Sequence, residues 1–125
     1  KGLHVVVPLV PKQGWDHIRS FAEAMARIMA QEDPKRYLAV MSKAARKGRI
    51  FIDYLRNGRG ATAIAPYSTR ARKGAPVSWP VRWTALDTLE SAHPVSVDTY
   101  VEALKVEKGD PWRGYFEVRQ VLPLG

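Results

Sequence analysis

One third of this chain is so basic that it is expected to lie at the surface of the folded protein. Between Ser42 and Leu86 there are ten lysine or arginine side chains and a single carboxylate, that of Asp53. The other residues carry ten basic and eleven acidic side chains, so the whole formal net charge of +8 arises from this part. Such a distribution is typical of a surface that binds polyanions. We call residues 42–86 the basic segment.

Asp53 is the acid with the most unusual surroundings. It follows residues 50–52, Ile-Phe-Ile, which favour a β-strand, and it precedes an Asn-Gly turn signal, so we expect it near the end of a strand. Two interpretations are open at this point. The carboxylate either pairs with neighbouring arginines, as charged side chains usually do, or it is a ligand of a divalent metal that also touches phosphates.

Length and composition narrow the class of protein. At 125 residues and 14.0 kDa, the chain has the length of one domain, and we expect a single domain over residues 1–125. The absence of cysteine excludes disulfides, thiolate metal sites and thiol nucleophiles. No apolar run has the length of a membrane-spanning helix, so we expect a soluble intracellular protein. The start at Lys1, in a strand-like run, indicates a piece of something longer.

Hydrophobic periodicity predicts both helices and strands. A helix from residue 16 to about residue 31 is indicated by apolar side chains at three- and four-residue spacing, with Asp16 as its N-cap. Shorter helical segments are expected at residues 42–47, 83–89 and 96–106. Strands are expected at residues 1–9, 50–52 and 61–65, the last antiparallel to the one before it.

Two further features concern binding. Arg70 and Arg72 are two residues apart, so in an extended backbone both side chains point to the same side, and their planar guanidinium groups suit phosphate oxygens. The alternative is an ordinary basic loop. His4 lies among valines and is either a hydrogen-bonded core residue or a ligand.

Three stretches of the sequence resemble the primase-polymerase domain of bacterial DNA ligase D, an archaeo-eukaryotic-primase-like module. They are residues 1–8 (KGLHVVVP), 46–57 (RKGRIFIDYLRN) and 65–72 (APYSTRAR). The resemblance implies an α/β (α+β) fold with a mixed or antiparallel sheet packed by helices. It also implies that residues 1–125 are the C-terminal part of such a domain, hence only part of the primase-polymerase catalytic fold.

The resemblance implies a function in DNA repair. It suggests a nucleotidyltransferase that uses Mn²⁺ or Mg²⁺ to add nucleotides, preferably ribonucleotides, at DNA ends during bacterial non-homologous end joining. The implied partners are DNA ends with a 5′-phosphate, nucleoside triphosphates and a Ku-type end-binding protein. No membrane partner is implied. The implied location is the bacterial cytoplasm, in association with the nucleoid. A non-catalytic basic DNA-binding module is the alternative.

The resemblance also implies roles for individual residues. Asp53 is the expected catalytic metal ligand. The side chains expected to bind the phosphates of the nucleotide are Lys1, His4, Arg70 and Arg72. The side chains expected to bind DNA are Arg46 and Arg56. The Asp-x-Asp carboxylate pair of the family is absent from this sequence. We therefore expect the phosphate-holding half of the site without most of the metal-holding half, together with exposed apolar surface and self-association.

Overall fold

The computed structural model describes residues 2–90, 94–107 and 109–123. Its contacts divide the chain into two compact units. The first unit comprises Lys1–Pro8 and Ile64–Arg119, and the second comprises Leu9–Ala63 and Gln120–Gly125. The expected single domain over residues 1–125 stays a prediction. The fold class is α+β, because helices combine with a short parallel ladder in the second unit and with antiparallel bridges in the first.

The second unit contains the long helix that the periodicity predicts. This helix, α1, spans Trp15–Glu32 and follows Gly14 in extended conformation. Asp16 lies in the first turn and provides no capping hydrogen bond, so its predicted role as N-cap is wrong. Its negative charge still stabilises the positive end of the helix dipole. Ala26, on the inner face of α1, is fully buried.

Two short parallel strands pair with each other in the second unit. Strand β1 spans Tyr37–Leu38, strand β2 spans Ile50–Phe51, and Tyr37 is in register with Ile50. The amide N–H of Ile52 continues the ladder by donating to the carbonyl of Leu38. α1 packs against β1, and Leu38 is buried. The predicted strand before Asp53 is therefore confirmed.

The connection between the strands is a series of turns, so the helix expected at residues 42–47 is wrong. A single backbone bond of helical spacing joins the Arg46 N–H to the Ser42 carbonyl, and the Ser42 hydroxyl accepts the N–H of Ala45. Gly48 has a φ of +71°, which glycine adopts without strain, and it ends the turns before β2.

The strand predicted at residues 61–65 is also wrong. An Asn-Gly hairpin turn would return the chain alongside β2. Instead, two turns follow one another, closed by bonds from the Asn57 N–H to the Tyr54 carbonyl and from the Ala61 N–H to the Gly58 carbonyl. The chain leaves β2 without pairing to it, and the ladder partner of β2 is the parallel strand β1.

The first unit is built around isolated antiparallel bridges. Thr69 pairs with Val77, Pro76 pairs with Ser96, and the side chains of Val77 and Val95 are buried. A 3₁₀ helix at Trp83–Thr88 confirms the helical turns predicted there. Helix α2 spans Tyr100–Val106 and begins later than residue 96, because residues 96–99 form a turn that the Thr99 hydroxyl closes by accepting the Ser96 N–H. A second 3₁₀ turn spans Tyr115–Glu117.

The chain exposes much apolar surface, as expected. Residues 2–9 form no strand among the described residues, and the side chain of Val5 is 68% exposed. The strand predicted at residues 1–9 is wrong for the described part, because β-branched residues form a strand only where a neighbouring backbone accepts and donates hydrogen bonds. Val101 and Leu104 of α2 are also about half exposed. Self-association stays a prediction. No helix in the described ranges has the length and hydropathy to cross a membrane.

Candidate phosphate-binding site

Asp53 lies just beyond the C-terminal end of β2, in a loop that is fixed by side-chain hydrogen bonds. One carboxylate oxygen of Asp53 accepts the N–H of Leu55 at 3.0 Å. The hydroxyl of Tyr54 donates to Oε1 of Glu23 on α1 at 3.3 Å, and the Asn57 amide donates to the Tyr54 carbonyl at 3.0 Å. The Asp53 side chain is exposed. The loop therefore presents this carboxylate to solvent.

The contact between this loop and α1 depends on the charge of Glu23. Arg27 donates two hydrogen bonds to Oε1 of Glu23, the shorter at 2.8 Å. These bonds hold the pKa of the Glu23 carboxyl below its usual range. Glu23 is therefore ionised at neutral pH and accepts the Tyr54 hydroxyl as a carboxylate.

The basic segment carries positive charges that pair with no carboxylate of the described residues. Asp53 makes no ion pair with any described residue, so the interpretation of Asp53 as an arginine partner is wrong for this part of the chain. Arg82 pairs with Glu107 at 2.7 Å. The other basic side chains of the segment have no ion-pair partner among the described residues: Lys43, Arg46, Lys47, Arg49, Arg56, Arg59, Arg70, Arg72 and Lys73.

Arg46 and Arg56 lie in the second unit with Asp53. The guanidinium carbon of Arg46 lies 4.7 Å from the ring centroid of Phe51 in β2, a stacking contact that the sequence did not predict. The exposed Arg56 donates one hydrogen bond, from Nη1 to the Thr62 carbonyl at 3.2 Å. Both guanidinium groups keep further donors for an anionic ligand.

Arg70 and Arg72 lie in the first unit, at the end of a chain reversal. The Arg70 N–H donates to the Pro76 carbonyl, and the Arg72 N–H donates back to the Arg70 carbonyl. The backbone therefore turns between the two arginines, so the extended backbone that would place both side chains on one side is not present there. Arg70 is half-buried at the base of the reversal, whereas Arg72 and Lys73 are exposed at its tip. The reversal thus carries three cations within four consecutive residues of the first unit.

His4 also belongs to the first unit, and Lys1 lies outside the described residues. The side chain of His4 is exposed and has no hydrogen bond to a described residue. The interpretation of His4 as a hydrogen-bonded core residue is therefore wrong, and a role toward a ligand stays a prediction.

The described residues do not form a metal centre by themselves. They contain no group of three or more histidine, aspartate or glutamate side chains placed to share an ion. Mg²⁺ and Mn²⁺ require several oxygen ligands, and two-metal phosphoryl transfer requires more than one carboxylate. Asp53 is a single ligand of the right chemical type.

The first unit also contains a shallow cavity of about 360 Å³ that is unsuited to phosphate. Its lining residues are Tyr67, Trp79, Leu104, Glu107, Gly109, Asp110 and Pro111. Two carboxylates among them would repel an anion. Tyr67 has a φ of +66°, a left-handed conformation that is uncommon for a bulky residue. Its N–H donates to the Ser78 carbonyl, and its ring packs edge-on against Trp79 at 5.3 Å.

The phenol of Tyr67 is expected to resist ionisation. Partial burial, Asp110 and Glu107 raise its pKa above the usual value near 10, and Arg82 opposes them. The residue is 45% exposed, so solvent screens these charges. A folded-state pKa above the unfolded value means that Tyr67 contributes stability below pH 10, which is lost as the pH rises through the folded pKa.

In an absorbance titration at 295 nm, the tyrosine ionisation step at the highest pH should therefore be missing from Tyr67→Phe. The same change should flatten the decline in melting temperature above pH 10. Tyr100→Phe, which removes another partly exposed phenol, is the matched control. An unchanged late ionisation step in Tyr67→Phe would contradict the assignment.

Comparison with known proteins places these residues in a family. Residues 1–112 match the family model described as the LigD primase-polymerase domain. The chain is 44% identical over 121 residues to the multifunctional non-homologous end joining protein LigD of Pseudomonas aeruginosa, and 36% identical over 93 residues to that of Mycolicibacterium smegmatis. These alignments cover 96% and 74% of the chain but only 14% and 12% of those relatives.

A solved structure has the same fold over most of the chain. The polymerase domain of Mycobacterium tuberculosis ligase D, in complex with DNA, superposes with a TM-score of 0.73 at 27% identity. The superposition covers 83% of this chain and 36% of that domain. The chain thus corresponds to about one third of a solved polymerase domain.

Proposed function

Because the chain belongs to the LigD primase-polymerase domain family, we propose that it supplies the phosphate-binding part of a nucleotidyltransferase. This enzyme would add nucleotides, ribonucleotides by preference, to DNA ends during bacterial non-homologous end joining. The observation that carries the proposal is the set of nine basic side chains in the basic segment that have no ion-pair partner among the described residues. Cations left unpaired in this way are available to phosphate oxygens.

The incoming nucleotide is assigned to the cations of the first unit. Arg70 and Arg72, with His4 and Lys1, neutralise the charge of the triphosphate and orient it. Negative charge develops on the leaving phosphates as the phosphoryl group is transferred, so fixed cations stabilise the transition state as well as the bound nucleotide. Arg70 is half-buried, and its planar guanidinium is suited to bind two oxygens of one phosphate.

The DNA end is assigned to the second unit. Arg46 and Arg56 contact backbone phosphates near the primer terminus or the 5′-phosphate of the template end. Each such contact releases counterions from the DNA, so binding is expected to weaken as salt is added. Contacts to phosphates position the DNA without reading its sequence, as suits a protein that acts at ends of arbitrary sequence.

Asp53 is proposed as one ligand of Mn²⁺ or Mg²⁺, which when bound supplies activation of the attacking hydroxyl and neutralisation of the leaving pyrophosphate. Among the described residues, Asp53 belongs to no group of three or more carboxylate or imidazole side chains that could hold an ion. No reaction step is therefore assigned to a metal in this chain. The contribution of Asp53 itself is an exposed carboxylate held at a fixed place by the Tyr54 and Leu55 contacts.

The proposed partners follow from the same assignment. They are DNA ends with a 5′-phosphate, nucleoside triphosphates and a Ku-type end-binding protein. The proposed location is the bacterial cytoplasm, in association with the nucleoid. The chain is also proposed to self-associate through its exposed apolar surface. The relative from M. tuberculosis is a polymerase domain in complex with DNA, which supports DNA as a partner.

A non-catalytic basic DNA-binding module is the second candidate function. The observation that favours it is the absence of a metal-binding group among the described residues. Such a module would use the same unpaired cations and would bind DNA without any affinity for nucleotides.

Titration of the chain with ATP and with 5′-phosphorylated DNA, each with and without Mn²⁺, distinguishes the two candidates. The polymerase assignment predicts ATP binding that Mn²⁺ strengthens and that loses this metal dependence in Asp53→Ala. The binding module predicts salt-sensitive DNA binding that ignores Mn²⁺, with no affinity for ATP. The second result would overturn the proposed function.

A further inference from the structure

We infer that Phe51 is a positioning residue, which holds the guanidinium of Arg46 beside the Asp53 end of β2 so that it contacts a DNA phosphate. This inference rests on the proposed function of Arg46 as a DNA-binding residue. It adds an apolar side chain in a strand to a site that is otherwise described by its charges.

The guanidinium of Arg46 is stacked rather than paired. Its carbon lies 4.7 Å from the centroid of the Phe51 ring, within the range of a cation–π interaction. Arg46 makes no ion pair with a described residue, and its Nε is enclosed without a hydrogen-bond partner among them. The Nη groups of the same guanidinium keep donors that an acceptor from outside the chain can use.

The local backbone explains why these side chains meet. The turns at residues 43–48 reverse the chain, with the Arg49 N–H donating to the Arg46 carbonyl and Gly48 in the left-handed region. Arg46 is thereby returned over β2, five residues before Phe51 in sequence. Ladder bonds on both sides of Phe51, from the Ile50 and Ile52 N–H groups to the carbonyls of Arg36 and Leu38, fix the strand beneath it.

The strand also relates this stack to Asp53. Phe51 is the last residue of β2, and Asp53 follows it by two residues in the loop beyond the strand. The stacked guanidinium therefore lies at the C-terminal end of β2, where the loop that carries Asp53 begins, and it makes no ion pair with that carboxylate. An oxyanion is the ligand class that a guanidinium in this position recognises.

Phe51→Leu tests the inference because leucine keeps an apolar side chain but offers no π face. The association constant for 5′-phosphorylated duplex DNA is measured at several salt concentrations, and its logarithm is plotted against the logarithm of the salt concentration. The wild-type plot is expected to be steep. Both Phe51→Leu and Arg46→Ala should make its slope shallower by about one. Phe51→Tyr, which keeps the ring, should retain the wild-type slope. Phe116→Leu, the same change at an 83% exposed ring, is the matched control.

The double variant separates positioning from general loss of structure. If Phe51 acts through Arg46, the double variant Arg46→Ala with Phe51→Leu has the same salt slope as Arg46→Ala alone. A purely structural role would lower the melting temperature but leave the salt slope of Phe51→Leu equal to that of wild type, and this result would overturn the inference. Absence of DNA binding by the wild-type chain would instead refute the proposed function.

Arginine labelling provides a readout that does not depend on DNA. Phenylglyoxal modification followed by mass spectrometry should label Arg46 more slowly than the exposed Arg49 in wild type. Phe51→Leu should raise the Arg46 rate several-fold and leave the Arg49 rate unchanged. Equal Arg46 rates in the two proteins would contradict the stack whatever the DNA result.

Discussion

Changing both Arg70 and Arg72 to alanine should raise the Kd of this chain for ATP about 100-fold, taking each lost phosphate contact as about 1.4 kcal/mol. This value is at the low end for hydrogen bonds to charged groups, because Arg72 is exposed and solvent screens its charge. Arg70 is half-buried and is expected to contribute the larger share. Isothermal titration calorimetry of the wild-type and variant chains measures the difference directly.

The matched control removes two charges from the same unit at other places. Arg113 and Arg119 are exposed residues of the first unit outside the basic segment. Their double alanine variant has the same net charge as Arg70→Ala with Arg72→Ala, so it reports the nonspecific effect of charge. Similar affinities for ATP in the two double variants would show that the turn at residues 70–72 is not the nucleotide site.

Asp53→Ala is expected to abolish nucleotide addition where the rest of a polymerase domain is present. The suitable protein is P. aeruginosa LigD in which this chain replaces the aligned 121 residues, since the two sequences are 44% identical there. Loss of a catalytic carboxylate should lower primer extension by more than about 100-fold, as removal of a single group that stabilises the transition state commonly does. DNA binding should be retained.

A control variant at a second carboxylate distinguishes the loss of a catalytic ligand from a nonspecific effect of charge. Asp87 is an exposed acid of the first unit without an ion pair among the described residues. Asp87→Ala in the same chimera should extend primers at the wild-type rate. If Asp53→Ala extends primers equally well, the assignment of Asp53 as a catalytic ligand is wrong.

Several features that depend on neighbouring residues in the sequence were predicted well, although the Asp16 cap and the helix at residues 42–47 were not. α1 follows from apolar side chains at helical spacing, and the structure begins and ends it within one residue of the predicted limits. The place of Asp53 at the end of a strand follows from residues 50–52 and the turn after them. The family resemblance rests on contiguous motifs, and the comparisons confirm it.

Features that depend on distant partners were not predicted. The β-branched run at residues 1–9 has strand propensity, but a strand also needs a partner, and none is present for it among the described residues. The Asn-Gly pair at residues 57–58 predicted a hairpin, yet consecutive turns lead the chain away from β2. Strand pairing is set by tertiary contacts that a local pattern does not contain.

In the candidate site, too, some features follow from the sequence and others depend on tertiary contacts. The sequence locates the unbalanced charges, because charge is counted directly from the residues. It does not show that Asp53 lacks an ion-pair partner among the described residues, that Tyr54 anchors the loop to α1, or that Phe51 stacks on Arg46. The sequence left open whether Arg70 and Arg72 lie in an extended segment or in a loop, because two-residue spacing indicates a common face only in an extended backbone.

Templated primer extension with Mn²⁺ and ribonucleotides tests the central claim most directly, on this chain alone and on its chimera with P. aeruginosa LigD. The chain is proposed to supply phosphate-holding groups and one metal ligand, so the chimera should extend a primer and the isolated chain should not. If the chimera folds and binds DNA but adds no nucleotide, while unaltered P. aeruginosa LigD does, the polymerase assignment is contradicted. The chain is then a DNA-binding module.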